Sequence, residues 1–202
     1  MKKLLFLTII LFSFFEGYSQ LSKTHYLPPI AFSGWQGGAS SGPWLGEYLY
    51  LSTPSTSSVT FNIKEIGGAT ISGELSNANP YVYTIRPQVS QPWFNDPLAS
   101  SQLFIYSDVF DTASTTSIIH QDKGFIIDAS EPIYVGARAI NSIHGGALVS
   151  KGTSGLSNTF RIGHFATYNS DNTQLNFMSV MATQDNTQVN ISNIDKDVDI
   201  AD

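Results

Sequence analysis

Lys123 to Gly152 reads K-G-F-I-I-D-A-S-E-P-I-Y-V-G-A-R-A-I-N-S-I-H-G-G-A-L-V-S-K-G. Three apolar runs, Phe125–Ile127, Ile133–Ala139 and Ala147–Val149, alternate with turn chemistry at Ser130-Glu131-Pro132 and His144-Gly145-Gly146. In the middle run Ile133, Val135, Ala137 and Ala139 alternate with Tyr134, Gly136, Arg138 and Ile140. A period of two is that of a strand with one packed and one mostly wet face. Pro132 has no N–H for a ladder and suits the first residue of that strand. This region therefore predicts the middle of an all-β domain.

The same pattern extends outward in both directions. Strand-like runs fall at Glu47–Leu51, Val59–Ile66, Ala69–Leu75, Tyr81–Ile85, Leu103–Tyr106, Phe125–Asp128, Ile133–Ala139, Ala147–Ser150, Thr159–Ile162, Leu175–Ala182 and Thr187–Ile191. Gly67-Gly68 and Asp185-Asn186 sit between pairs of runs and carry hairpin chemistry. No window holds a helical period with caps. The expected fold is all-β, an antiparallel β-sandwich-like arrangement, with two packed small barrels or part of a propeller as alternatives. Gln88–Ser101 and Asp108–Gln121 lack any period and read as long loops.

One repeat is visible at an offset of 130 residues: Leu49–Thr53 followed by Val59–Ile63, against Ser179–Thr183 followed by Val189–Ile191. Read as a strand, a polar turn and a returning strand, it suggests two related β subdomains, the second incomplete. Residues 192–202 add no closing strand, so the expectation is a chain truncated in mid-pattern.

Residues 1–19 have the parts of a secretory signal peptide. Lys2 and Lys3 precede an uncharged run of twelve residues, Leu4–Phe15, and Gly17 and Ser19 are small residues before a cut at Ser19–Gln20. Twelve residues rise about 18 Å as a helix, short of a hydrocarbon core of ~30 Å. With no cysteine in the chain, a lipoprotein cut is excluded. The expectation is export, to the medium or the cell surface, with no membrane insertion once the leader is removed. Residues 20–202 would then form the β domain. Losing Lys2, Lys3 and Glu16 leaves 8 basic against 15 acidic residues, a net charge of −7 against −6 for the whole chain. That balance argues against nucleic acid, which rewards basic patches. The absence of cysteine removes thiol catalysis and disulfides, so burial alone must hold the fold.

Candidate chemistry is sparse. Gly38–Gly42 matches G-x-S-x-G but lies between Trp35-Gln36-Gly37 and Pro43-Trp44-Leu45, without the strand and helix that a nucleophile elbow requires. His25, His120, His144 and His164 are scattered, whereas zinc needs three or four converging ligands. His25 and His164 read as hydrogen-bonded packing residues and His144 as a turn residue. Asp195, Asp197 and Asp199 alternate and would share one face of a strand, but Ile200 stands where a calcium loop needs Gly and no Glu follows, so a solvated edge or frayed terminus is the better reading. Asp185-Asn186-Thr187 reads as turn chemistry. No metal, cofactor or catalytic residue is assigned, and the chain reads as non-enzymatic. Trp35, Trp44 and Trp93 are the candidate ligand-binding residues, since indoles on loops stack on sugars or anchor a protein. The plainer alternative is that they plug the ends of the sandwich. Asn190-Ile191-Ser192 is a formal glycosylation acceptor.

Several segments resemble the IgG Fc-binding protein N-terminal domain family as it occurs in secreted proteins of Bacteroidetes-type bacteria. They are L-S-K-T-H-Y-L-P-P-I (21–30), Y-L-Y-L-S-T-P (48–54), K-E-I-G-G (64–68) and K-G-F-I-I-D-A-S-E-P-I-Y-V (123–135). G-A-L-V-S-K-G (146–152), G-L-S-N-T-F-R-I-G (155–163) and S-V-M-A-T-Q-D-N-T-Q-V (179–189) complete the set. The resemblance implies a large surface or secreted adhesin, with Ig-like repeats and a gliding-motility-associated sorting domain for type IX secretion in its later parts. It implies no site residue, and Fc binding is not carried over. Three functions follow as expectations: an adhesin-like module for an extracellular protein or glycan, a carbohydrate-binding module using the loop tryptophans, or a structural spacer of a surface fibre.

Overall fold

The computed structural model describes residues 20–33, 46–86, 101–107, 119–140, 145–163 and 178–194. Their fold is all-β. The strands in chain order are β1 Ser22–Leu27, β2 Ile30–Ser33, β3 Gly46–Ser52, β4 Val59–Glu65, β5 Thr70–Leu75, β6 Tyr81–Arg86, β7 Phe104–Ser107, β8 Phe125–Ile140 and β9 Gly145–Val149. Seven of them form one antiparallel sheet along the path β5-β4-β8-β3-β6, with β1 and β9 also on β8. β2 and β7 form a separate parallel pair, Ile30 opposite Phe104 to Ser33 opposite Ser107. Ile30 N donates to Leu103 O at 2.7 Å and Gly124 N to Gln102 O at 2.9 Å, which ties this pair to the start of β8.

β8 runs for 16 residues and has a partner on each edge of each half. Its first half pairs with β1 (Leu27 opposite Phe125) and β4 (Ile63 opposite Ile127). Its second half pairs with β3 (Leu49 opposite Ala137) and β9 (Val149 opposite Gly136). The expected break at Ser130-Glu131-Pro132 is thus a bend inside one strand, and Pro132 is not a strand's first residue. The ladder itself explains why a proline fits there. The β4 pairing ends at Ala129 and the β3 pairing starts at Tyr134. On the β1 side, Lys23 alone spans the gap between Asp128 and Ile133. With no ladder at the bend, a missing N–H costs no ladder bond.

Side chains take over where the ladder stops. Thr53 Oγ1 donates to Pro132 O at 3.1 Å, Thr60 N to Ser130 Oγ at 3.1 Å, and Lys23 Nζ to Ser130 O at 2.6 Å. Lys23 also pairs with Glu131 at 3.4 Å, an exposed contact of small energetic weight.

The bend lets the two half-sheets face one another. Phe61 of β4 meets Tyr81 of β6 with ring centroids 4.7 Å apart, and Phe125 meets Tyr83 edge-on at 6.5 Å. Gly73, opposite Phe61 in register, makes room for that ring, because a Cβ there would lie 2.6 Å from Phe61 Cζ. Between the halves lie Leu27, Leu49, Leu51, Val59, Phe61, Ile63, Leu75, Phe125, Ile127, Ile133, Val135 and Ala137, all buried. Full burial of each large side chain contributes about 1.5–3 kcal/mol.

Other expectations resolve unevenly. The Gly67-Gly68 hairpin forms between β4 and β5, with Gly67 at φ 73° and Gly68 N donating to Glu65 O at 3.1 Å. Gly145-Gly146, read as a turn, lies inside β9. β1 and β2 were not expected; β1 has polar residues at Ser22, Lys23 and Thr24, and its burial pattern follows its bulge rather than strict alternation. Thr159–Ile162, Thr187–Ile191 and the described part of Leu175–Ala182 are not strands, because none of them finds a ladder partner. Asp185-Asn186 does turn, with Asn186 at φ 58° and Thr187 Oγ1 donating to Gln184 O at 2.7 Å, but no hairpin flanks it. The 49–63 unit is not a hairpin either: β3 and β4 each pair with β8, not with one another. Residues 1–19, read from the sequence as a signal peptide, lie outside the described residues, Ser19 among them; Gln20 is exposed.

The bend yields a test. Thr53→Val should lower the urea-unfolding stability by about 1–2 kcal/mol, since it removes the donor to Pro132 O and the acceptor for Ser55 N. Thr60→Val changes an exposed side chain and leaves the backbone N–H to Ser130 Oγ in place, so it should change stability by less than about 0.5 kcal/mol.

Candidate functional site

Two features stand out, one buried and one exposed. Glu47, second in β3, is fully buried, although its alternating neighbours suggest only a strand. A register shift between Glu47 and Tyr48 brings it opposite Arg86 at the end of β6. Arg86 Nε lies 3.8 Å from Glu47 Oε1, with the Arg86 side chain 14% exposed. Ser101 Oγ donates to Glu47 Oε2 and also accepts from Leu103 N at 3.1 Å. Lys123 Nζ donates to Ser101 O at 2.6 Å. The cluster joins β3, β6, the approach to β7 and the approach to β8. A buried carboxylate is tolerable there because a cation and a hydroxyl take its charge. Through these contacts it clamps the segments together.

His25 is buried in β1, as its apolar surroundings suggested. Nε2 lies 2.9 Å from Ile133 O and 3.1 Å from Ser22 O, so it carries the proton as donor, and Nδ1 has no partner. Burial pushes the His25 pKa down, against the two carbonyls that pull it up. Tyr83 is pushed up to about 12, first by burial and then by its 2.8 Å hydrogen bond to Glu65 and the charge there. Both groups stay neutral at ordinary pH and serve packing.

The exposed feature is a difference between the outer faces of the two half-sheets. On the first half, outward positions carry Thr60, Asn62 and Lys64 of β4 and Thr70, Ser72 and Glu74 of β5. They are linked by hydrogen bonds such as Ser72 Oγ to Asn62 Oδ1 at 2.6 Å and Ser58 Oγ to Glu74 at 2.7 Å. On the second half, one cross-strand row reads Val82, Tyr50, Gly136, Val149, and the next reads Thr84, Tyr48, Arg138, Ala147. Tyr134 stands opposite Ser52 beside them. Tyr50, Tyr134, Val82 and Val149 are 40%, 39%, 47% and 56% exposed. Tyr48 and Tyr50 have ring centroids 6.3 Å apart and tilted by 54°. Contiguous exposed apolar and aromatic surface of this kind marks interaction sites.

The tryptophans singled out from sequence, Trp35, Trp44 and Trp93, lie outside the described residues, as do Gly38–Gly42, His144, His164 and the Asp195–Asp199 series. Among the described residues no three His, Cys, Asp or Glu side chains gather as metal ligands, and no helix is long and apolar enough to cross a membrane. The tyrosines were legible as the wet side of Y-L-Y-L-S and Y-V-G-A-R. Their union on one face required knowing that β3 pairs with β8. No family model matches the chain, and no curated protein or solved structure is similar to it.

Two outcomes are expected. Glu47→Ala removes the buried carboxylate that faces Arg86 and accepts from Ser101 Oγ, and should cost about 3–5 kcal/mol in urea unfolding. For His25, the unfolded chain binds the proton more tightly than the folded one. Stability is therefore full above the unfolded pKa of about 6.5 and falls as pH drops below it, by up to about 1.4 kcal/mol per pH unit. From about pH 7.5 to about pH 5.5, the urea midpoint of the wild type should fall further than that of His25→Gln. Parallel curves would refute the assignment.

Proposed function

We propose that this chain is a non-enzymatic extracellular β module, the N-terminal part of a bacterial adhesin-like surface or secreted protein, binding an extracellular protein or glycan. The observation that carries this reading is the contrast between the two outer faces. A sheet face kept apolar and aromatic while its counterpart is covered by Ser, Thr, Asn, Lys and Glu is suited to contact rather than to solvation. The signal-peptide pattern at 1–19 supports an extracellular address, and the family resemblance supports an adhesin setting with type IX sorting in later parts.

The site chemistry agrees with binding rather than turnover. Glu47, Ser101, Arg86 and Lys123 are occupied with one another, and His25 is held by two backbone carbonyls. Side-chain-based recognition on a sheet face needs none of them.

The full chain, purified after export, should bind a subset of features on a glycan and glycoprotein array above a heat-denatured control. Silence across the array would leave the module as a structural spacer and overturn direct recognition.

A further inference from the structure

We infer that the chain self-associates by strand addition, with Thr187–Ser192 of one copy pairing along the open edge of β9 in a second copy. The inference concerns assembly and does not depend on what the outer face binds.

Among the described residues β9 is paired on one side only, by β8. Ser150 N donates to Val135 O at 2.9 Å, which fixes the phase of that ladder. By the alternation of an antiparallel pair, the N–H and C=O of Ala147 and Val149 turn to the other side. Sheet edges are ordinarily guarded by charge, proline or a covering segment. β5 carries Glu74, β6 ends on Arg86, and β1 has Lys23 and lies against the short turn Gly152–Gly155. β9 reads G-G-A-L-V, with neither charge nor proline. Its inner face is also uncovered. Leu148 stands opposite the buried Ala137, on the core side, yet it is 43% exposed. A Cβ added at Gly146 would meet nothing within 4 Å. The packed layer over β8 thus stops short at β9.

Thr187–Ser192 is a strand sequence without a ladder. T-Q-V-N-I-S alternates, holds the β-branched Thr187, Val189 and Ile191, and has no charge or proline. All six residues are exposed, and the segment has no strand partner in its own copy. Positive φ at Asn186 (58°) and Asn193 (56°) turns the chain before and after it. Laid along β9, Val189 and Ile191 would share the face that covers Leu148, leaving Gln188, Asn190 and Ser192 outward.

Charge favours the match. Residues 133–163 carry Arg138, Lys151 and Arg161, all exposed, and no Asp or Glu. Residues 185–202 carry Asp185, Asp195, Asp197, Asp199 and Asp202 against Lys196 alone. Pairing in either direction brings Asp185 or Asp195 to the Lys151 end of β9. Within one copy the two elements are not paired, so the partner is a second copy. Because the two surfaces differ, copies add head to tail.

The test uses the full chain, purified after export, and exploits its lack of cysteine. Copies with Leu148→Cys, mixed with copies with Ile191→Cys and oxidised, should give the mixed disulfide about tenfold over either like pair. Val149→Cys replaces Leu148→Cys if that variant does not fold. In sedimentation the mass of the unaltered chain should rise with concentration. Val189→Asp should weaken association about tenfold or more, and Lys64→Ala on β4 should leave it unchanged. Both side chains are exposed, so melting temperatures should hold. A chain that stays monomeric up to about 1 mM would overturn the inference. Association undiminished by Val189→Asp would overturn it as well. So would a chain with both cysteines that closes on itself as a monomer, since the strand would then dock within one copy. None of these results bears on array binding, so the adhesin reading is tested separately.

Discussion

Everything described in this protein hangs on β8. A strand of 16 residues can take partners on both edges of both halves, and β8 does so with β1, β4, β3 and β9. A straight strand of that length would give a flat sheet with two wet faces and little core. The bend at Ser130–Pro132 converts the same ladder into two halves that bury their inner faces against each other. Proline there is compatible with the bend because the hydrogen bonds it cannot make are not required of it. Thr53, Ser130 and Lys23 supply side-chain bonds where the ladder lapses.

The closure of the halves explains the polar residues inside. β6 belongs to one half and β4 to the other, yet Phe61 meets Tyr81 and Tyr83 reaches Glu65. Glu47 stands where β3, β6 and the segments leading to β7 and β8 converge. Its carboxylate is matched by Arg86 and Ser101, so a costly buried charge becomes a specific fastening. Without cysteines to cross-link it, the fold depends on such contacts together with apolar burial.

The two outer faces show how position gives residues their meaning. Tyr50 and Thr60 are both outward residues of central strands. Thr60 lies on a face of short polar side chains that satisfy one another. Tyr50 lies on a face with Val82, Val149 and Tyr134, where apolar surface remains in contact with water. The cost of that exposure, roughly 25 cal/mol per Å², is the physical ground for reading the face as a contact surface.

Period-two alternation by itself determined that the chain is all-β, and located β3 to β9 to within a few residues, because side-chain direction in a strand depends only on local geometry. Gly67-Gly68 marked its hairpin for a similarly local reason, a positive φ that glycine adopts without strain. The clustering of Tyr48, Tyr50, Tyr134 and Arg138 depended on which strands pair, and that is a long-range property. Alternation also marked 159–162 and 187–191, where no partner strand is found, since a pattern states that a segment could pair and not that a partner exists. Only the tertiary structure decided that Ser130-Glu131-Pro132 bends a strand rather than ending one. The choice rests on the contacts of Thr53 with Pro132 and of Lys23 with Ser130, 79 and 107 residues apart in the chain, and no local rule reaches across that distance.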